Sequence, residues 1–290
     1  MTRTYKATGI NLKSAPIGES DRLLTVLTRE FGLIKAVAPG VRKQRSSIGG
    51  RSELFVVNEL LIAKGRSLDK ITQASTVESY PGLSRNLGKL AAAQYLAELA
   101  IASALSDEPQ EDLFFLLGEH LSRLERLSDR TEIESAAVLI AHLAQGIFHL
   151  LALAGLAPQV QVCGATRQPI APNFSDPNWQ TGFSIPSGGT FSLPELANLE
   201  AELSEIGSSY RAASRSRPTS DSKHLTNFHI NAKELAALQQ LGSAELEEGI
   251  ADRAAWMSVE NILRQYAQYH LGCTIRSGSS IDTYLENFEF

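Results

Sequence analysis

The residues best placed to do chemistry in this chain are cations. Arg42, Lys43 and Arg45 fall within four positions, and Arg51 follows six further on. Such a cluster recognises phosphates or another polyanion by charge. A run of charges is by itself the mark of a solvated loop, so the surroundings must decide. Groups for catalysis are looked for and not found. The chain has no G-x-x-x-x-G-K-[ST] phosphate loop, no G-x-G-x-x-G after a strand, no H-E-x-x-H and no G-x-S-x-G. His142 and His149 stand seven apart, about 10 Å along a helix axis, whereas helical pairs that share one metal sit at i, i+4. A hydrolase or nuclease would need clustered carboxylates or histidines for its metal ions, and the sequence shows no such cluster.

What must position the cations is a strand. In Gly32 to Ser47, Leu33, Lys35, Val37 and Val41 alternate with Ile34, Ala36 and Ala38, which reads as a strand buried on both faces until Pro39-Gly40 breaks it. The charge balance agrees with a polyanion surface at this end of the chain. The net charge is -5, yet residues 1 to 80 hold 13 Lys and Arg against 7 Asp and Glu, leaving 14 against 25 for the remainder. Lys64 and Arg66 could line the same surface. Only Tyr5, Phe31 and Phe55 supply aromatic rings before Tyr80. Phe31 and Phe55 lie in apolar contexts that suit a core, so the surface is expected to work by charge more than by base stacking.

Residues 1 to 80 carry five strand signals: Thr4 to Ile17, Arg22 to Phe31, Leu33 to Val41, Leu54 to Lys64 and Ile71 to Ser79. The second and third are close enough to form a hairpin. Five strands in a segment of this size describe an oligonucleotide-binding (OB-fold) barrel. From residue 83 the period becomes helical, with apolar faces at Leu90, Ala93, Ala97, Ile101 and Ala104, then at Leu113, Leu116, Leu117, Leu121 and Leu124. Thr131 to Glu134 resembles a capping box. It leads into a long apolar helix over Ala136 to Ala157, free of Asp, Glu, Lys and Arg. His142, Gln145 and His149 give that helix a polar stripe, which favours a core helix over a membrane span. Residues 158 to 192 are rich in Pro and Gly and form an insert; helices are expected at Leu193 to Ile206, Lys233 to Leu241 and Asp252 to Leu271. Between them, residues 207 to 224 read as a mobile Ser/Arg-rich loop. The fold class is therefore α+β, with a barrel at 1–80 followed by an all-helical domain at 81–290. The two cysteines, Cys163 and Cys273, form no framework, and the N-terminus lacks a secretory signal, so a cytoplasmic protein is expected.

The run GINLKSAPIGESDRLLTVLTREFGLIKAVAPGVRKQRSS resembles the start of the RecO family of bacterial recombination mediators, in which a strand, a Gly-Glu-x-Asp-like turn, an L-T-x-x-x-G-like segment and a basic loop follow in that order. ILRQYAQYHLGCTIRS, from Ile262 to Ser277, resembles the family's C-terminal helix with its Y-x-x-x-H-L-G ending. The resemblance implies a non-enzymatic protein for DNA repair and recombination. It further implies binding of single- and double-stranded DNA, annealing of complementary strands, and partnership with RecR and single-stranded DNA-binding protein in loading RecA. Carried over by position, the DNA-binding cations are Arg42, Lys43 and Arg45, with Lys35 and Arg51 as lesser candidates. Arg85, Lys89, Arg123 and Arg126, basic positions beside Leu-rich faces, are candidates for a partner-binding pocket.

The resemblance also implies a zinc-binding insert, and there the chain departs from the pattern. Val160 and Cys163 stand where many members have C-x-x-C, and Thr190, Phe191, Ser192 and Leu193 stand where the second pair would be. One thiolate does not make a four-ligand site. A degenerate zinc-finger-like insert without metal is expected, held by Ile170, Phe174, Trp179, Phe183 and Ile185. An OB-fold RNA-binding protein without enzymatic activity is the alternative that the same cations would serve.

Overall fold

The computed structural model describes residues 4–43, 46, 48–128, 133–202, 227–246 and 252–286. Its contacts divide the chain into two compact units, residues 1–146 with 275–290, and residues 147–274.

The first unit begins with the five strands read from the sequence: β1 (Thr4–Ile17), β2 (Asp21–Thr28), β3 (Gly32–Ala38), β4 (Val56–Ala63) and β5 (Asp69–Ser79). They close in the order β1-β2-β3-β5-β4, antiparallel except where β3 meets β5 through Ala36–Asp69 and Val37–Lys70. Closure leaves one small interior to fill, and it takes Ala7, Leu24, Val26, Ala36, Ala38, Leu60, Ile62 and Ile71. β3 is thus buried on one face only. Ala36 and Ala38 are fully inside, while Lys35 is exposed and Val37 partly so. Small alanines on the inner face and mixed residues on the outer one hid this alternation from the pattern.

A 3₁₀ turn, Pro81–Arg85, leads to α1 (Leu87–Ser103), α2 (Glu111–Arg126) and α3 (Ile133–Leu153). Asn86 caps α1 by accepting from Lys89 N at 3.1 Å. The segment between α1 and α2 docks on the β2–β3 turn through three backbone bonds: Leu33 N to Leu105 O at 2.9 Å, Asp107 N to Phe31 O at 3.1 Å and Gln110 N to Arg29 O at 3.0 Å. Gly32, at φ +62, is what admits this approach, because a Cβ there would lie 2.7 Å from Glu108 O and closer still to Leu105 O. Thr28 completes the turn, its hydroxyl donating to Gly32 O at 2.7 Å and accepting from Phe31 N. The Thr28…Gly32 pair of the L-T-x-x-x-G pattern therefore serves the joint between barrel and helices. A last helix, α7 (Gly278–Glu286), was absent from the sequence reading; it packs on α1, where the Glu98 carboxylate accepts from Arg276 N and Ser277 N. Tyr284 of α7 lies over Gly88, where a larger residue would collide.

The polar stripe of α3 faces protein at Gln145, which is fully buried and accepts from Arg123 Nη1 at 3.0 Å. Ser135–Leu153 is the one described helix long and apolar enough to cross a membrane, and most of it is buried within the protein. Thr131 and the loop at 207–224 lie outside the described residues.

Residues 81–290 are mostly, not all, helical: in the second unit a three-stranded sheet, β7-β6-β8, is built from β6 (Gln180–Ser184), β7 (Gly189–Phe191) and β8 (Asn227–Asn231). α4 begins at residue 193 and is described to residue 202, and α5 (Ala232–Gln240) and α6 (Arg253–Leu271) follow. Asn231 and Glu234 form a capping box on α5, and Asp252 caps α6. Cys163 is buried against Phe191, Leu196, Ile170 and Leu199. Burial would raise its thiol, but bonds from the Thr166 backbone and hydroxyl and from the backbones of Ser192 and Ala165 outweigh that and hold its pKa at about 7. No group of three or more metal-ligating side chains exists among the described residues, and Cys163 by itself does not fit a tetrahedral zinc centre, which takes four ligands.

Hydrogen bonds tie the insert instead. Gln239 Nε2 donates to Val160 O and Ile170 O, both at 2.8 Å, and the Thr190 hydroxyl donates to Val162 O at 3.1 Å. Phe183 and Ile185 are buried as expected and Trp179 is partly so, but Phe174 is 65% exposed and is not core. The Y-x-x-x-H-L-G ending is likewise structural here. His270 Nε2 bonds Ile185 O at 2.9 Å, its ring lies 4.2 Å from that of Tyr266, and Gly272 closes α6 in the left-handed conformation.

Candidate nucleic-acid interface

The basic loop leaves β3 at Pro39-Gly40, and Asp21 fixes its start. The Asp21 carboxylate accepts from Gly40 N and from the Ser20 hydroxyl, each at 2.8 Å, while Arg42 N donates to Ser20 O at 2.9 Å. Gly40 sits at φ +63, a conformation that L side chains resist. Asp21 is held below the usual carboxyl range, first by the Gly40 N–H, then by Ser20, with Lys70 and Lys43 adding their fields. The Gly-Glu-x-Asp-like turn is thus the anchor of the loop, and it reports that Lys43 and Lys70 lie around one carboxylate.

Strand register supplies the rest of the surface. Lys13 on β1 is opposite Thr25 on β2, and Thr25 is opposite Lys35 on β3. Opposed residues share a face, so the two lysines flank one buried threonine across three strands. Val37, two positions along the same face, is opposite Lys70 of β5. Lys13, Lys35 and Lys70 thereby continue toward Arg42 and Lys43, and all five are exposed. Lys13 and Lys70 were missed by the sequence reading, since they lie 57 positions apart and only register reveals a shared face. Arg45 lies outside the described residues.

The structure sets Arg51 apart from that group. It occupies the 3₁₀ turn Gly50–Ser52 and lines a groove of about 640 Å³ with Lys6, Thr8, Thr72, Gln73 and Ser75, on the side of the barrel made by β1, β4 and β5. Arg22 pairs with Glu53 at 2.9 Å and Arg29 with Glu30 at 3.4 Å, which spends two other barrel cations. The aromatic rings are engaged in packing: Tyr5 meets Phe31 edge-on at 4.9 Å and donates to Asp69 at 2.5 Å, and Phe55 is buried. Charge is what this surface offers.

Of the four cations considered for a partner pocket, Arg85 and Arg126 are exposed. Lys89 is the correction, being only 2% exposed: its ammonium donates to Glu125 O at 3.1 Å and Leu127 O at 2.6 Å, at the C-terminal end of α2. There the charge meets the negative end of the helix dipole and cannot reach a partner. Arg123 pairs with Glu119 besides Gln145.

Two family models match the chain, recombination protein O N terminal over residues 1–80 and recombination protein O C terminal over residues 84–278. A protein of Nostoc punctiforme named DNA repair protein RecO is 53% identical over 98% of this chain and 97% of its own length. Proteins of the same name from Trichodesmium erythraeum and Gloeobacter violaceus are 51% and 37% identical, over 99% and 98% of this chain and 96% and 95% of theirs.

Proposed function

Because the chain belongs to the recombination protein O family, we propose that it serves DNA repair as a mediator of recombination, with Lys13, Lys35, Lys70, Arg42 and Lys43 as the barrel's contact to DNA. Arg45 joins them by its place in the loop. The observation that carries this is the register that lines up Lys13, Thr25 and Lys35, with Lys70 beside them. Evenly spread cations without a stacking platform suit phosphates, not base edges, and so single and double strands of any sequence. Annealing then needs no active site: neutralising the phosphates of two strands lowers their repulsion while base pairing does the rest. Residues 1–80 act as the DNA-binding domain, and the mostly helical remainder, residues 81–290, offers surfaces to RecR and to single-stranded DNA-binding protein, with the exposed Arg85 and Arg126 as cations. The work is cytoplasmic, beside RecA.

Neutralising the five cations together tests the reading. All are exposed, so folding should be unchanged, and the dependence of binding on salt should lose about 0.7 of logarithmic slope per phosphate contact on single strands. Annealing of strands coated with single-stranded DNA-binding protein should fall in parallel. An unchanged slope would place the DNA elsewhere, and preference for RNA over DNA of one sequence would favour the RNA-binding reading.

A further inference from the structure

Two buried asparagines hold a single carbonyl. Asn11 of β1 and Asn58 of β4 are both 0% exposed, and both side-chain amides donate to Arg51 O, at 2.7 and 2.8 Å. Asn11 Nδ2 also reaches Glu53 O at 2.9 Å, Phe55 N donates to Asn11 O at 2.9 Å, and the Asn58 carbonyl accepts from Thr76. The Ser52 hydroxyl closes the same turn on Ile48 O at 2.8 Å. Packing alone does not explain an asparagine at position 11. Its Oδ1 is buried without a hydrogen-bond partner, a cost that an apolar side chain would avoid. What both amides accomplish is to fix the backbone from which Arg51 projects.

That projection is toward the groove described above. Lys6 adds a second cation there, Thr8, Thr72, Gln73 and Ser75 add neutral donors and acceptors, and Leu60, Ala7 and Ala74 lie beneath. Two carboxylates share it. Glu30 is engaged by Thr8 N and Arg29, and Glu59 is exposed between Thr8 and Ser75. With Glu59 in the wall, a phosphate has a place only near Arg51 and Lys6, so the orientation of Arg51 decides whether the groove accepts a strand.

We propose that Asn11 and Asn58 are positioning residues that preset Arg51, at the rim of the β1–β4–β5 groove, as a second phosphodiester contact on the barrel. This rests on the reading of the barrel as the DNA-binding domain. A side chain whose backbone is already fixed loses less freedom on binding, and releasing it weakens affinity roughly threefold to tenfold.

The test is a double-mutant cycle read by the anisotropy of a labelled single-stranded oligonucleotide across a salt series. Arg51→Ala is expected to lower the salt slope by about 0.7. Asn11→Leu and Asn58→Leu, made singly so that one amide still holds the turn, should each weaken binding roughly threefold to tenfold. In the Arg51→Ala background they should change it no further. A fold defect would weaken binding in both backgrounds alike, and that additivity overturns the proposal; Asn11→Ala and Asn58→Ala repeat the cycle should a leucine variant not fold. An unchanged slope in Arg51→Ala also overturns it. Neutralising Lys35 and Lys70 in parallel separates the cases: loss of binding there with none at Arg51 removes the groove and keeps the barrel, and no loss in either removes both.

Discussion

Replacing Gly32 by alanine should cost the first unit about 1 to 4.5 kcal/mol. Alanine at φ +62 pays roughly 1 to 2 kcal/mol for the left-handed conformation. The new Cβ would also overlap Leu105 O and Glu108 O, so the 105–108 segment must withdraw. Its bonds Leu33 N to Leu105 O and Asp107 N to Phe31 O then weaken or break, at about 0.5 to 1.5 kcal/mol each. These terms sum to roughly 2 to 5 kcal/mol, and a more restricted unfolded chain returns roughly 0.4 to 1 kcal/mol of it. Gly18→Ala is the matched control, because Gly18 has φ +60 and nothing within 4 Å of the added Cβ. It carries the conformational cost without the clash. For a unit of this size the Gly32 variant should melt roughly 5 to 15 °C lower, and the control within about 5 °C of the parent. Thermal unfolding followed by circular dichroism, with urea midpoints alongside, reads both. Equal shifts in the two variants would show that the α1–α2 segment does not rest on the β2–β3 turn, and the reasoning would fail.

Two further outcomes concern titration and metal. Burial, then the Arg123 charge, lowers the pKa of His142, whose Nδ1 has no hydrogen-bond partner; a neutral histidine in the fold makes stability full above the unfolded value near 6.5 and declining as pH falls below it. His142→Gln should flatten that decline in urea midpoints measured between pH 7.5 and 5, values chosen to bracket about 6.5, and an identical decline in both proteins would show that His142 does not contribute. Chelation with EDTA should leave the melting temperature unchanged and metal analysis should find no stoichiometric zinc, since Gln239 and Thr190 bind the insert's carbonyls; one equivalent of zinc, with destabilisation on its removal, refutes this.

The sequence by itself determined the order and type of nearly every element. Strand runs bounded by Gly18, Gly32, Pro39-Gly40 and Gly65 made the barrel legible, because turn residues act locally and each strand carries its own alternation. Helical periodicity did the same for α1, α2, α3, α5 and α6. The basic loop was legible too, since its charges are neighbours in the chain. Four things were decided by tertiary structure. Lys13 and Lys70 join Lys35 only through cross-strand register, a relation between distant residues that no local pattern carries. Lys89 looked like a surface cation until the end of α2 was set over it, and burial depends on what packs above a residue, not on its type. β8 and α7 are short elements whose partners, β6 and α1, lie 47 and about 190 positions back by the numbering, so their stability comes from docking and not from propensity. Arg51 was grouped with the loop cations because it follows them in sequence. It lines a groove on another side of the barrel, where Asn11 and Asn58, arriving from two different strands, donate to its carbonyl.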